Sequence, residues 1–372
     1  MAEPLKNSFG PDIPLLIADM VDAVYADFDR ERFVSLAVDG FEDLELTPRA
    51  RQVSDALAAT LPDDRQQAME IITASLGPEI EAAALTGMET FRYLPFVFFV
   101  ADHGLDHFET AMTAQYELTK RFTAEFSIRA YIDRYPEATL ARLRVWAGDD
   151  NVHVRRLVSE GTRPRLPWAP RLRRFQEDPM PVLKLLEMLK DDDEEYVRRS
   201  VANNLNDISK DHPDIAVETA ARWWSDDANT GRLVRHGLRT LIKSGEPGAL
   251  AVLGYVPDFP VQLGSLVVEP AEASIGESVR FTIEIENPSS DSARVLADLV
   301  VHFVKANGTR TPKVFKGAEL LIPAGDTARV SKLVSLAQHS TRTHYPGLHL
   351  AEVQINGVIR GGAEFVVVPN AD

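Results

Sequence analysis

Through roughly the first 250 residues, apolar positions return every three or four places. IPLLIADMVDAVYADF, RARQVSDALAATL and FETAMTAQYELTKRF are three such runs, with proline and glycine between them. That period predicts amphipathic helices, and strand-like alternation is absent from this part. From about Leu263 the pattern changes to short β-rich runs: SLVVEP, SVRFTIEIEN, VLADLVVHFVKANG, ARVSKLVSL, GLHLAEVQINGVI and AEFVVVP. NPSSDS, NGT, PAGD and GG separate them. Short strands at this spacing over about 110 residues predict an antiparallel, immunoglobulin-like sandwich. The expected layout is an all-α domain over residues 1–254, a two-proline linker (YVPDFPVQLG, 255–264) and an all-β sandwich over 265–372.

Within the helical part a weak repeat emerges when an apolar residue followed by arginine is aligned. Ile128-Arg129, Val154-Arg155, Val197-Arg198 and Val234-Arg235 are 26, 43 and 37 residues apart. The last two intervals fit the roughly 40-residue helix pair of a HEAT-type solenoid. Such pairs stack into a superhelix with an extended concave face, suited to a long ligand.

The stretch VRRSVANNLNDISK (197–210) is unusual in this setting, because three asparagines and an aspartate are mediocre helix formers. On a helical wheel Val197, Val201, Leu205 and Ile208 fall within about 80° and form the buried stripe. Arg199, Asn203, Asn206, Asp207 and Lys210 span about 100° on the other side, so the asparagines are expected to line a face, with Asp207 held by them. Arg156 and Glu160 stand 43 residues before Arg199 and Asn203, and Glu125 precedes the Ile128-Arg129 pair. Three acids beside arginines on a stacked array could share one groove. The i,i+4 pair Arg156 and Glu160 is also explained by a plain helical salt bridge.

Composition narrows the classes. The chain has 372 residues, enough for two domains, and no cysteine, which excludes disulfides and thiolate metal sites. The longest apolar run, LPFVFFVA (94–101), is too short for a membrane span and fits a buried helix. MAEPLKNSFG has no basic region followed by an apolar stretch, so no signal peptide is expected, and the expected location is the cytoplasm. HGLDH (103–107) has the spacing of a zinc pair but no third ligand, so no metal is expected, nor any other cofactor.

The net charge of −16 argues at first against a nucleic-acid partner, but its distribution does not. Residues 1–119 carry 7 basic and 22 acidic side chains, residues 120–245 carry 23 and 20, and residues 246–372 carry 10 and 14. Seven arginines lie between Arg155 and Arg174. A solvated or salt-bridged surface explains them as well as a phosphate site does.

NVHVRRLVSEGTRPRLPW, YVRRSVANNLNDISKDHPD and the opening LKNSFGPDIPLLIA closely resemble the AlkC branch of the AlkC/AlkD family of DNA alkylation repair glycosylases. The likeness covers about residues 4–250, and some members of that branch are similar also in carrying a C-terminal immunoglobulin-like domain. The resemblance implies a HEAT-like superhelix that wraps duplex DNA. It also implies excision of cationic N-methylated bases: 3-methylcytosine, 1-methyladenine and also 3-methyladenine. Carried over by motif, the catalytic acids are Glu125 (AEFSIR), Glu160 (SEGTRPR) and Asp207 (NNLND), with Arg156 in the same pocket and Trp168 nearest the DNA. Arg163, Arg165, Arg171, Arg173 and Arg174 are expected to meet phosphates, and Arg199 and Asn203 to form the wall of the cradle. A monomer acting on alkylated double-stranded DNA without a membrane is expected. A non-enzymatic HEAT scaffold and a protein that binds damaged DNA without cutting it are the competing readings.

Overall fold

The computed structural model describes residues 5–80, 88–225, 227–339 and 342–370. It has the expected architecture: sixteen α-helices among the described residues, the last ending at Val252, then eight strands beginning at Gln262. Contacts divide the chain into two compact units, Met1–His212 with Asp227–His236, and Pro213–Asp226 with Gly237–Asp372.

In the helical unit the apolar period becomes a core of Phe9, Ile17, Phe33, Leu57, Met69, Phe96, Phe99 and Tyr131, all essentially inaccessible. The LPFVFFVA run forms the helix Leu94–His103 and is buried from Leu94 through Val100. Apolar residues on every side of a helix demand neighbours on every side. No described helix is long and apolar enough to cross a membrane. Three helices of this unit, Ser127–Arg134, Val152–Gly161 and Glu195–Ile208, carry the buried charged side chains of Arg129, Glu160 and Asp207 respectively.

The second unit is built on β1 (Gln262–Glu269), β2 (Glu272–Ser274), β3 (Ser278–Glu286), β4 (Ala293–Val304), β5 (Arg310–Ile322), β6 (Thr327–Ser335), β7 (Gly347–Ile355) and β8 (Val358–Val368). One sheet has the order β1-β3-β6 and the other β2-β8-β7-β4-β5; β2 joins β8 in parallel and the remaining pairs are antiparallel. On β3 the burial alternates: Val279, Phe281, Ile283 and Ile285 point into the sandwich and Arg280 and Glu286 out, the period-two signature of a strand with one covered face. Phe281 meets Phe365 of the other sheet edge to face at 5.4 Å.

Composition alone would keep residues 1–254 together, whereas the helices Pro213–Trp223, Arg239–Ser244 and Pro247–Val252 group with the strands. Two glycines allow this. Gly245 and Gly357 have φ of 78° and 82°, and a Cβ on Gly245 would lie 2.7 Å from the Gly357 carbonyl oxygen, so helix end and hairpin meet backbone to backbone. The stretch expected as a linker is tied down as well: Tyr255 and Val261 are buried, and Asn356 donates to the Val256 carbonyl at 3.0 Å.

Candidate active site

The Val152–Gly161 helix starts on Asn151, whose side-chain oxygen accepts from the His153 and Val154 amides at 2.9 and 3.4 Å. Val154, Leu157 and Val158 face inward. Arg155 forks onto Asp192 at 2.6 and 3.1 Å and ties this repeat to the next. The Glu195–Ile208 helix packs alongside on Val197, Val201, Leu205 and Ile208, all fully buried. Asn204 accounts for one of the poor helix formers, since its amide donates to the Ser159 carbonyl at 2.8 Å and to Thr162 Oγ1 at 3.1 Å. It closes orphan acceptors at the neighbouring helix end.

Between these helices and the Ser127–Arg134 helix runs a chain of alternating charges. Arg156 Nη1 donates to Glu125 Oε2, and Arg156 Nη2 lies 3.5 Å from Glu160. Arg163 donates to Glu160 at 2.7 Å and to Asp207 at 2.9 Å, and Lys210 reaches Asp207 at 3.0 Å. Ser200 adds a hydrogen bond to Glu160 at 2.6 Å and Thr123 one to Glu125 at 3.0 Å. The side chains are 14% exposed at Glu125, 8% at Glu160 and 2% at Asp207, so the row runs from accessible to enclosed.

Burial works against the charged form of Glu160, but Arg156, Arg163 and the Ser200 hydroxyl outweigh it and hold its pKa below the ordinary carboxylate range. Burial likewise opposes charge on Arg156 and Arg163, and the acids on either side overcome it and raise both pKa values. Glu160, Arg156 and Arg163 are therefore all ionised at neutral pH.

Glu125, Arg156 and Glu160 open onto a cavity of about 520 Å³. Its other walls mix aromatic side chains, Phe91, Phe98, Phe122, Phe126, Trp168 and Tyr196, with charged ones, Arg51, Asp102, Arg129 and Asp133 among them. The Tyr196 ring lies beneath the Arg156 guanidinium at 5.3 Å. Trp168 is 75% exposed and has φ of 64°, a left-handed conformation that a bulky residue adopts only when its surroundings force it. The residues around it supply that force. Leu166 and Leu172 are buried anchors, the Leu172 amide donates to the Pro164 carbonyl at 3.2 Å, and the Ala169 amide donates to the Leu166 carbonyl at 3.4 Å.

A family model described as DNA alkylation repair enzyme matches residues 47–222, and one described as the C-terminal Ig-like domain of uncharacterised protein YhaZ matches residues 262–369. Protein YhaZ of Bacillus subtilis (strain 168) is 36% identical over 364 residues, which is 98% of this chain and 99% of YhaZ. The crystallised Pseudomonas fluorescens alkylpurine DNA glycosylase AlkC, bound to DNA containing an abasic site analog, is 35% identical. It superposes with a TM-score of 0.90 over 98% of this chain and 100% of its own. The chain belongs to the AlkC-type DNA alkylation repair family.

For an AlkC-type protein the expected site residues fall into two groups. Glu125, Arg156, Glu160, Arg163 and Asp207 form the single network, and Trp168 stands at the rim of its cavity. Three expectations change. The Asp207 oxygens take two cations, Arg163 and Lys210, which converge on it from the loop after the neighbouring helix and from one helical turn on. Asn206 is itself buried, so the polar arc of this helix is covered over much of its length. Arg163 and Arg165 do not stand free for phosphates. The first is locked between two acids, and the second forks onto Asp211 at 2.5 and 3.0 Å.

Arg171 and Arg199 are exposed and make no ion pair among the described residues, and Asn203 Oδ1 accepts from His236 Nε2 at 2.9 Å. Of the residues not anticipated, Tyr196 carried a signal: it sits 43 positions after His153, the interval that relates the two arginine motifs, and the two rings stack edge to face. The phenylalanines of the cavity carried none, since phenylalanine at helical spacing reads as core. No cluster of three or more metal-ligating side chains occurs among the described residues.

Proposed function

We propose that this protein is a DNA glycosylase that removes cationic N-alkylated bases, 3-methylcytosine and 1-methyladenine with 3-methyladenine as a further substrate, from duplex DNA by hydrolysing the N-glycosidic bond. The observation that carries this reading is the Glu125–Arg156–Glu160 triad on the wall of an aromatic-lined cavity: two carboxylates about one guanidinium, net −1, with Trp168 held beside them. The full-length likeness to AlkC supports the same chemistry.

A base methylated at a ring nitrogen already bears a positive charge and leaves with little protonation, so no strong general acid is needed. Cleavage builds positive charge on the deoxyribose, in a transition state like that of glycoside hydrolysis. An ionised carboxylate about 4 Å from that charge contributes about 4 kcal/mol at an effective dielectric constant of about 20, or roughly a thousandfold in rate. Glu125 is the acid for this position, being the most exposed of the three and held by Arg156 and Thr123 rather than quenched from every side. Glu160 shares Arg156 and orients the attacking water, and Asp207 keeps Arg163 from drifting toward Glu160 alone. Trp168 stacks on or wedges beside the bases, in the energetic range of about 1–3 kcal/mol per stacked base. Arg171 and Arg199 meet backbone phosphates.

Release of free base from a duplex containing 3-methylcytosine tests the reading. Wild-type protein is expected to release the base, and Glu125→Gln to lose about three orders of magnitude in single-turnover rate while still binding an abasic-site duplex. Wild-type protein that binds such DNA yet frees no base would leave only a damage-binding role.

A further inference from the structure

Arg129 is a buried arginine without an acid. It lies in the first turn of the Ser127–Arg134 helix, is 4% exposed and makes no ion pair among the described residues. Its guanidinium donates only to backbone: Nη1 to the Gly161 carbonyl at 3.1 Å and the Arg163 carbonyl at 2.8 Å, and Nη2 to the Pro170 carbonyl at 2.6 Å. Nε has no hydrogen-bond partner among the described residues. Burial lowers the pKa of Arg129 to about 10, so the cation persists at neutral pH at a desolvation cost that Asp133 and Glu125, neither of them bonded to it, offset only in part. A cationic side chain of this length is rarely buried unpaired. Stability alone would be served as well by an apolar side chain packed in its place.

The three carbonyls identify what the cost secures. Gly161 ends the helix that carries Arg156 and Glu160, and its carbonyl is one of the acceptors such an end leaves open, where a cation is also favoured by the helix dipole. Arg163 and Pro170 flank the segment whose tip is Trp168. One planar fork thus grips the end of the acid-bearing helix and both limbs of the tryptophan loop. The packing is close at Gly161, where a Cβ would lie 2.6 Å from Cγ2 of Ile128, the residue before Arg129. Glu125 stands two residues before the start of the same helix.

From these contacts we infer that Arg129 is a positioning residue that fixes the Trp168 loop relative to the Glu125–Arg156–Glu160 triad, so that the ring which engages the duplex and the acids which face the sugar keep one separation. This deepens the proposed reading and rests on its assignment of Trp168 to DNA. Arg129 touches no reacting atom. Lysine in its place keeps the charge but supplies a point donor that cannot serve three divergent carbonyls.

A double-mutant cycle on the full chain decides it, with Arg129→Lys, Arg129→Met, Trp168→Ala and both combinations. Each is read by single-turnover release of 3-methylcytosine and by affinity for a duplex containing a tetrahydrofuran abasic site. A displacement of about an ångström costs roughly a hundredfold in rate, so both Arg129 variants are expected to fall by about that factor with the fold retained by circular dichroism. In the Trp168→Ala background the same changes should have little further effect, because the ring they position is gone. A merely structural arginine would give additive losses, which would overturn the inference, as would wild-type behaviour of Arg129→Lys. If Arg129→Met does not fold, Arg129→Lys carries the cycle. If Trp168→Ala behaves as wild type, the assignment of Trp168 to DNA fails and takes the inference with it. If the wild-type protein releases no base, the glycosylase reading fails, and the cycle on affinity still decides whether Arg129 acts through Trp168.

Discussion

In the helical unit Glu160 and Asp207 are almost wholly enclosed, and each keeps an opposite charge within 2.9 Å. In the sandwich unit Asp298, His344 and His349 are enclosed as deeply, and none has an ion pair among the described residues. The consequences for charge are opposite. Burial raises the pKa of Asp298 and lowers those of both histidines, with His344 brought down to about 4. His349 is fixed as a neutral tautomer: Nδ1 accepts from the Val304 amide at 3.3 Å, so Nε2 donates to the Tyr345 carbonyl at 3.1 Å. The arginines around Glu160 keep its charge, whereas these three groups of the sandwich are driven toward neutrality. Buried ion pairs are poor stabilisers compared with apolar packing, because desolvation consumes most of the Coulomb gain. A row of six charges ending in a cavity is therefore better explained by chemistry than by stability.

Truncating one buried group in each unit is the sharpest way to break this contrast. Glu160→Gln leaves Arg156 with Glu125 alone, Arg163 with Asp207 alone and the Ser200 hydroxyl without its ionic acceptor. Removing one member of such a buried set is expected to cost about 3 kcal/mol in urea denaturation. His344→Leu removes a ring whose two nitrogens have no hydrogen-bond partner among the described residues, and is expected to cost under about 1 kcal/mol. Equal costs would mean that the network is no more interdependent than an ordinary core site.

The fold was legible where burial depends on local pattern. Val197, Val201, Leu205 and Ile208 are all in the core, and the alternation in SVRFTIEIE matches inward and outward residues of β3. The site was legible as a set of residues but not as a set of partners. Arg163 and Asp207 are 44 residues apart, and nothing in RPR distinguishes an arginine waiting for a phosphate from one already held by two acids. Asn206 read as lining a polar face because helical phase is a local quantity, and Asn204 had no place on that face. Their burial is decided by the neighbouring helix end, which Asn204 satisfies. Trp168 could have been core or surface from sequence, and its left-handed backbone and exposure are visible only in three dimensions.

Acidification should separate the units. The pKa of Glu160 is lower folded than unfolded, so its contribution is present above the ordinary value of 4.5 and is lost only as pH falls through the depressed folded value. His344 is also depressed, but it is a base. Between its usual 6.5 and its folded value of about 4 the unfolded chain binds more protons, so stability drains from the sandwich as pH falls through that window. Amide exchange corrected for intrinsic rates should show β3 and β4 losing more protection between about pH 6.5 and 4 than the Val152–Gly161 helix, whose His153 is also held below its usual pKa by burial and by Arg156. In His344→Leu that loss should shrink. Parallel loss in both units would remove the distinction.

The smallest expected effect tests the contrast at its finest. Asp298 is buried on β4, its Oδ1 accepts from the Gly317 amide at 2.9 Å, and burial is the main cause of its raised pKa. Its amide isostere keeps an acceptor for Gly317 and removes a charge that nothing pairs. Asp298→Asn is therefore expected to be neutral or stabilising by up to about 1 kcal/mol at pH 7, and to lose that advantage as pH falls and the native carboxyl protonates. Asp207→Asn is the matched change in the other unit. There the charge is answered by Arg163 and Lys210, so the same chemical edit should destabilise. If the two substitutions move the melting temperature in the same direction, pairing is not what distinguishes the buried aspartates of the two units.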